Sequence, residues 1–252
     1  MSLVPYVHLD ASLRGVGLGA AVPLSPSEAH HLTTVLRLRD GAAVEVADGE
    51  GGSAAAALGP AQVHLVSDPR FEAAPRPRLT VAQALPKGRK LDEVVRQVTE
   101  LGADRIVPVT AVRSVTRLDG AKASRASDRW RSIARAAAEQ SRRPRRPQVT
   151  VITEVDELAR PLDRRGERTA ASSLLLVADP GGAPLPSLRA LAADADEVTL
   201  AIGPEGGWTE AEVATLVDGG GVTVGLGDAI LRTEHAAAAG LAVLAAILGR
   251  WG

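Results

Sequence analysis

The chain contains no cysteine among its 252 residues. That removes disulfide scaffolds, thiolate metal sites and cysteine nucleophiles from consideration, and it is compatible with a cytoplasmic protein. Aromatic residues are scarce as well: three Trp, one Tyr and one Phe. Base stacking on rings therefore cannot be the main mode of any nucleic-acid contact. No apolar run reaches the length that spans a bilayer, and no basic segment followed by an apolar one marks a secretion signal. The expected location is the cytoplasm, with no membrane partner. Net charge is only −1, which on its face disfavours a polyanionic partner.

The charge is unevenly distributed, however. Residues 1–72 carry 4 basic and 8 acidic side chains, residues 73–146 carry 18 and 7, and residues 147–252 carry 7 and 15. From Arg113 to Arg146 there are 11 basic groups, accompanied only by Asp119, Asp128 and Glu139, and the stretch ends in Arg142-Arg143-Pro144-Arg145-Arg146. Such density suits a phosphate backbone; an Arg-rich solvated helical face is the plain alternative. The hydrophobic content of 45% at this length supports a substantial core and predicts two domains, one of them small.

Residues 1–72 read as short β segments at Tyr6–Leu9, Ala20–Pro23, Ala43–Ala47, Ala54–Leu58 and Gln62–Val66, separated by Gly and Asp-Gly turns. That spacing predicts a small barrel. One helix interrupts it, from Ser25-Pro26-Ser27 through Arg37, with Asp40-Gly41 closing it. Adjacent His30 and His31 would project about 100° apart and do not suit a shared ion, so no metal site is expected. Pro69–Pro77 reads as the linker, with Pro75-Arg76-Pro77 as the break. Over residues 73–252 the pattern changes to α/β. Strands are predicted at Leu79–Leu85, Arg105–Thr110, Gln148–Ile152, Ser173–Asp179, Val198–Ile202 and Val222–Leu226. Helices are predicted over Leu91–Leu101, Arg129–Ser141 and Ala236–Leu248. This alternation predicts a doubly wound, mostly parallel sheet. Residues 153–171 are polar and carry little signal.

Two bends near the C-terminus organise the candidate site. Strand Val198–Ile202 runs into Gly203-Pro204-Glu205-Gly206-Gly207, after which Thr209 is placed to cap a helix with Glu212 as its capping-box partner. Strand Val222–Leu226 runs into Gly227-Asp228 and then Ile230-Leu231-Arg232-Thr233-Glu234, which opens a very apolar helix. Without side chains at Gly203, Gly206 and Gly207, main-chain groups lie open to a flat polar ligand. Strand ends that meet helix starts are where open α/β sheets hold ligands. The strand Ser173–Asp179, turned by Pro180-Gly181-Gly182, is expected to end on the same rim. A lone Gly-Pro-Glu-Gly-Gly is a common turn, and only the pair of bends is specific.

That pair, Gly203-Pro-Glu-Gly-Gly207 followed by Leu226-Gly-x-x-Ile-Leu-Arg-Thr-Glu234, resembles the SPOUT class of S-adenosylmethionine-dependent RNA methyltransferases. Within that class the chain looks like the RsmE family, which methylates N3 of a uridine in small-subunit ribosomal RNA. Lys87, Glu100-Leu101-Gly102, Arg113-Ser114 and Glu139-Gln140-Ser141 match the family pattern too, while the family's usual glycine after the last of these is Arg142 here. The resemblance implies a PUA-like β-barrel over residues 1–72 that docks RNA, and a SPOUT α/β domain over 73–252. It also implies that the C-terminal stretch is threaded into a trefoil knot, and that two subunits pair as a homodimer. Carried onto this sequence, it assigns S-adenosylmethionine to Val177, Ala178, Ile202, Gly203, Pro204, Glu205, Gly206, Gly207, Gly225, Leu226, Gly227, Ile230, Leu231 and Thr233. RNA contacts are expected from Arg37, Arg39, Lys87, Arg113, Arg142, Arg143, Arg145 and Arg146.

Methyl transfer from a sulfonium needs a lone pair in line with the methyl group, and uridine N3 carries a proton at neutral pH that must leave. No base is evident in the sequence. Arg232 is the catalytic candidate, because a fixed cation beside the uracil oxygens would stabilise their developing negative charge. Its plain alternative is a surface salt bridge with Glu234 or Asp228. Glu205 is read as ordering its own loop. Two other classes remain: a non-catalytic RNA-binding protein that keeps the fold, against which the intact glycines count, and a phosphate-binding α/β enzyme using residues 203–207 as a nucleotide cradle. The latter lacks the Lys-Ser/Thr that a P-loop places after its glycines.

Overall fold

The computed structural model describes residues 4–160 and 173–251, so part of the polar stretch 153–171 lies outside the described residues. The chain divides into two compact units. One holds the residues up to Ala74 together with Arg135–Arg146, and the other holds Pro75–Ala134 and the residues from Pro147 onward. The first break lies close to the expected one. The return of residues 135–146 to the first unit was not expected from the linear pattern.

In the first unit, strands β1 (Tyr6–His8), β2 (Ala21–Pro23), β3 (Ala43–Ala47), β4 (Gly52–Gly59), β5 (Gln62–Leu65) and β6 (Arg70–Phe71) form a ladder in the order β1-β3-β4-β5-β2, with β6 on β4. β1 pairs with β3 in parallel and the other pairs are antiparallel. Among the described residues β1 and β2 are the two ends of the ladder. Alternate strand positions supply the core, which includes Val7, Val22, Val44, Val46, Leu58, Val63 and Leu65. Helix α1 (Pro26–His30) starts as expected. Ser25 Oγ accepts from the Glu28 N–H, Glu28 accepts from the Ser25 N–H, and Pro26 occupies the first turn. The helix does not run through to Arg37, however: it widens into a π turn at His31–Val35, of which only Leu32 is buried. Arg37 then takes a left-handed φ of 54°. This reversal brings Leu38 against the core, with its N–H donating to the Leu32 carbonyl at 3.0 Å. A longer helix would leave Leu38 outside.

Residues 135–146 explain why they belong here. Arg135 donates to Asp10 at 2.7 Å, to Glu28 at 3.0 Å, to Glu139 at 3.3 Å and to the His8 carbonyl. Burial disfavours its charge, yet the contacts to Glu28, Asp10 and Glu139 outweigh that and hold the guanidinium more firmly protonated than usual. Arg142, at the position where the resemblance implies glycine, adopts the glycine-like φ of 55°. The strain, on the order of 1 kcal/mol, is offset by contacts with the Val4 carbonyl at 2.8 Å, with Glu45, and with the Tyr6 ring at 5.1 Å. Arg145 reaches the Glu72 carbonyl and Arg146 the Asp48 carbonyl, while the main-chain carbonyl of Arg143 accepts from the His8 ring at 2.8 Å. All of residues 142–146 are half buried. The run is thus less open than its charge count alone suggests. The run is tied within the first unit: Glu45 pairs with Arg142, Asp10 stands 3.8 Å from Arg146, and main-chain carbonyls hold Arg145 and Arg146.

In the second unit, β7 (Arg78–Ala84), α2 (Lys90–Glu100), β8 (Arg105–Thr110), α3 (Gly120–Gln140), β9 (Gln148–Val149), β10 (Thr153–Glu154) and α4 (Val155–Leu158) come first. After them come β11 (Ser173–Pro184), a 3-10 turn at Leu185–Leu188, α5 (Arg189–Ala193), β12 (Glu197–Ile202), α6 (Glu210–Asp218), β13 (Val222–Gly225) and α7 (Thr233–Ile247). The last residues of α3 belong to the first unit. That helix starts well before the expected Arg129, because its first turns carry no apolar periodicity to announce them. Of the expected strand Gln148–Ile152 only Gln148–Val149 is strand, as β9, and β10 starts beyond it.

The sheet order is β10-β8-β7-β12-β11-β13 with β9 on β8, and every pairing is parallel. Parallel strands covered on both faces are apolar throughout, and alternate residues here feed two cores. Leu79, Val81, Leu176, Val198 and Leu200 pack with Val94 and Val98 of α2, Trp130 of α3 and Leu241 and Leu244 of α7. Ala82, Ala84, Val177 and Ala201 pack on the other face with Val155 and with Leu216 of α6. Each fully buried aliphatic side chain contributes roughly 1.5–3 kcal/mol. Between Ala178 and Ala183 the register of β11 against β13 breaks, so Asp179–Gly182 is looped out at the C-terminal end of the sheet. Among the described residues, no helix is long and apolar enough to cross a membrane.

Candidate active site

The C-terminal ends of β11, β12 and β13 enclose a cavity of about 710 Å³ in the second unit. Its lining includes Ala178, Asp179 and Pro180 from the looped-out segment, Ile202, Gly203, Pro204, Glu205 and Gly207 from the first bend, and Val224 and Leu226 through Thr233 from the second, with Lys90 and Ala236. The two bends that the sequence singled out thus meet in one place, together with the end of β11. Gly207 and Gly227 are the positions that require glycine for conformation, with φ of 67° and 118°.

Each bend is held from behind. Thr209 and Glu212 form the expected capping box, and Glu212 also accepts from the Val112 N–H at 2.7 Å, which ties the start of α6 to the exit of β8. Arg113 donates to the carbonyls of Gly206 at 2.8 Å and Trp208 at 3.2 Å. A Cβ at Gly206 would lie 3.3 Å from the Arg113 side chain. The close approach at Gly206 is therefore to Arg113, not to the cavity. Gln83, fully buried on β7, donates to the Thr233 hydroxyl at 2.8 Å, and that hydroxyl donates to the Gly203 carbonyl at 2.6 Å. This relay fastens the first turn of α7 to the exit of β12. Val177 is buried in the sheet, and Val177, Gly206 and Gly225 do not line the cavity.

The charged groups at the rim are partly paired. Lys90 lies 3.1 Å from Glu205 and 3.4 Å from Glu234, and the Glu205 hydrogen bond is the main reason its ammonium is held above the ordinary lysine range. Burial pushes the Glu205 carboxyl up, but hydrogen bonds from its own amide, from Lys90 and from the Lys87 N–H together hold it below the usual range. Arg232 is the N-cap residue of α7, exposed at the cavity, and among the described residues it makes no salt bridge with Glu234 or Asp228. Lys90 escaped the sequence reading. Its signal was its place in the Lys87-Gly-Arg-Lys90 turn, three residues past the lysine that was singled out. Asp228 was read as a turn residue and as a possible partner of Arg232, and Ala229 was not singled out.

The residues expected at RNA are dispersed. Arg37 and Arg39 are exposed in the first unit, Lys87 is exposed in the second, Arg113 clamps the first bend, and residues 142–146 are half buried in the first unit. Among the described residues, no cluster of three or more His, Asp or Glu side chains is placed to hold a metal ion.

Residues 73–245 match the family model of the RNA methyltransferase domain, and residues 24–65 that of the RNA methyltransferase PUA domain. The ribosomal RNA small subunit methyltransferase E of Mycobacterium bovis is 34% identical over 239 residues, which cover 92% of this chain and 89% of that protein. Its counterpart from Bacillus subtilis is 33% identical over 84% of this chain and 85% of that protein. The crystal structure of the Neisseria gonorrhoeae enzyme of the same name, bound to S-adenosyl methionine, superposes with a TM-score of 0.83 at 26% identity, over 97% of this chain and 98% of that one. With both units matched and the identity sustained along almost the whole length, the chain belongs to the ribosomal RNA small subunit methyltransferase E family, the RsmE family its C-terminal bends resemble.

Proposed function

We propose that this protein transfers a methyl group from S-adenosylmethionine to N3 of a uridine in small-subunit ribosomal RNA. The observation that carries the reading is the convergence of bends 203–207 and 226–233 on one cavity of about 710 Å³, a volume typical of small-molecule sites. Bound there, S-adenosylmethionine supplies an electrophilic methyl group on a sulfonium. Ile202, Val224, Leu226 and Ala236 offer apolar walls, and the bare main chain at Gly203, Gly207 and Gly227 offers hydrogen-bonding edges for a neutral heterocycle. Asp179, Glu205 and Asp228 outnumber Lys90 and Arg232 on the lining. An acidic balance favours a ligand carrying sulfonium and ammonium charges and disfavours a triphosphate, which argues against the nucleotide-cradle alternative.

The residues proposed to hold the cofactor are Ala178, Ile202, Gly203, Pro204, Glu205, Gly207, Leu226, Gly227, Ile230, Leu231 and Thr233, while Val177, Gly206 and Gly225 lie outside the lining. Arg232 is the proposed catalytic group. Its guanidinium, free of a carboxylate partner among the described residues, would stabilise negative charge on the uracil oxygens as N3 loses its proton. Lys90, already neutralised by two carboxylates, is less suited to that role. Trefoil threading of the C-terminal stretch, pairing as a homodimer and a cytoplasmic location are parts of the same proposal.

Calorimetric titration with S-adenosylmethionine and with ATP, followed by incubation with unmodified small-subunit ribosomal RNA and mass spectrometry of the nucleosides, tests it. The expected result is binding of the first ligand only, with one methyl group on N3 of a uridine. Failure of transfer, or methylation of another atom, would overturn the assignment.

A further inference from the structure

A second depression, of about 400 Å³, shares the turn after β7 with the cofactor cavity: Arg89 borders the depression and its neighbour Lys90 the cavity. Its floor is apolar, from Leu85, Leu118 and Trp130, and its rim carries Arg89, Lys122, Arg125 and Arg129. Arg129 is engaged with Asp92 at 3.0 Å. Arg89, Lys122 and Arg125 are exposed, and among the described residues none of them has a carboxylate partner. Most other arginines of the basic middle segment are tied to carboxylates or carbonyls, as Arg113, Arg131, Arg135 and Arg142 are. Three unmatched cations over an apolar floor, beside a cavity of the opposite balance, form a site complementary to an anion joined to a flat, weakly polar body. A nucleotide within a polymer fits that description. Trp130 is 2% exposed and donates its ring N–H to Asp92 at 3.0 Å, so it is floor and not a stacking platform. Recognition here is by charge and shape, without base-specific stacking.

We infer that this cleft holds a single-stranded segment of the substrate RNA next to the methyl-transfer site, with a phosphate between Arg89, Lys122 and Arg125 and the attached nucleoside against Leu85, Leu118 and Trp130. The inference rests on the proposed methyltransferase function and moves the RNA contact of the basic middle segment from residues 142–146 to the start of α3.

The double variant Lys122→Glu/Arg125→Glu tests it, because both side chains are exposed and make no structural contact that the fold needs. Fluorescence anisotropy with a labelled oligouridine and with purified small-subunit ribosomal RNA is measured across a salt series, alongside calorimetry with S-adenosylmethionine. The variant is expected to bind the cofactor as the wild type does, to lose more than about tenfold in RNA affinity, and to lose about 0.7 of the slope of log affinity against log salt, the contribution of one neutralised phosphate of a single strand. The charge-matched variant Arg76→Glu/Arg189→Glu should keep most of the RNA affinity. Equal losses in the two variants, or an unchanged salt slope in the first, would overturn the cleft and leave the methyltransferase reading standing. Absence of S-adenosylmethionine binding in the wild type would overturn that reading itself.

Discussion

Replacing Thr233 by Val removes one oxygen atom and keeps the shape of a side chain that is 5% exposed. That oxygen receives a hydrogen bond from Gln83 at 2.8 Å and gives one to the Gly203 carbonyl at 2.6 Å. Gln83 retains its second acceptor, the Ala84 carbonyl at 3.0 Å, so its amide is not stranded altogether. The Gly203 carbonyl loses the hydroxyl that held it. Two buried hydrogen bonds at about 1 kcal/mol each, with a further penalty of about 1 kcal/mol for the partly unsatisfied carbonyl, put the loss at about 3 kcal/mol. Helix propensity barely enters, since Thr and Val are close on that scale. The loss should appear in two assays. Urea unfolding should give a stability deficit of roughly 2–3 kcal/mol, and calorimetry should give S-adenosylmethionine affinity weakened by about tenfold, because the bend that begins at Gly203 is no longer fastened to α7. The variant Gln83→Leu should weaken both in the same direction, and the double variant should cost clearly less than the sum, with a coupling above about 0.5 kcal/mol. Stability within about 0.5 kcal/mol of wild type in Thr233→Val, or full additivity with Gln83→Leu, would refute the relay as the fastening of the site.

Arg232→Ala should leave cofactor affinity within about twofold and lower kcat by about 100-fold, read from single-turnover methyl transfer; wild-type turnover would remove Arg232 from the mechanism. Gly206→Ala places a Cβ 3.3 Å from Arg113, so a loss of about 1 kcal/mol in thermal stability with only a modest fall in cofactor affinity is expected. Complete loss of binding would show instead that the cofactor abuts Gly206. Burial desolvates His8 and lowers its ring to about 4. Below the unfolded value of about 6.5 the unfolded chain takes up a proton that the native chain refuses, so stability should fall by up to about 3 kcal/mol as pH drops from about 6.5 to about 4, and stay flat above. Urea titrations at several pH values should show that slope flattened in His8→Gln, and equal slopes in the two proteins would contradict the assignment.

Local chemistry was legible in the sequence wherever one segment suffices to specify it. The Ser25/Glu28 and Thr209/Glu212 boxes announce their helices, because a cap is satisfied within four residues. The runs at β7 and β12 announce buried parallel strands, because both faces are covered. The two glycine-bearing bends were found by their residues alone. Where a side chain goes after leaving its segment was a different matter. The arginines at 142, 145 and 146 look alike in sequence to those at 89 and 125, yet the former meet the Glu45 carboxylate and the main-chain carbonyls of Glu72 and Asp48, from strands and turns far up the chain, and the latter make no salt bridge among the described residues.

By itself, then, the amino-acid order determined the element types, the pair of ligand-facing bends and the family, since periodicity, caps and glycine placement act over a few residues. Only the tertiary structure decided which basic groups are free, that Gly206 makes room for Arg113, that Lys90 borders the cavity, and that Gln83 and Thr233 fasten the site. Each of those depends on contacts between residues tens of positions or more apart, and charge pairing and close approach over such separations are set by the packing of the sheet.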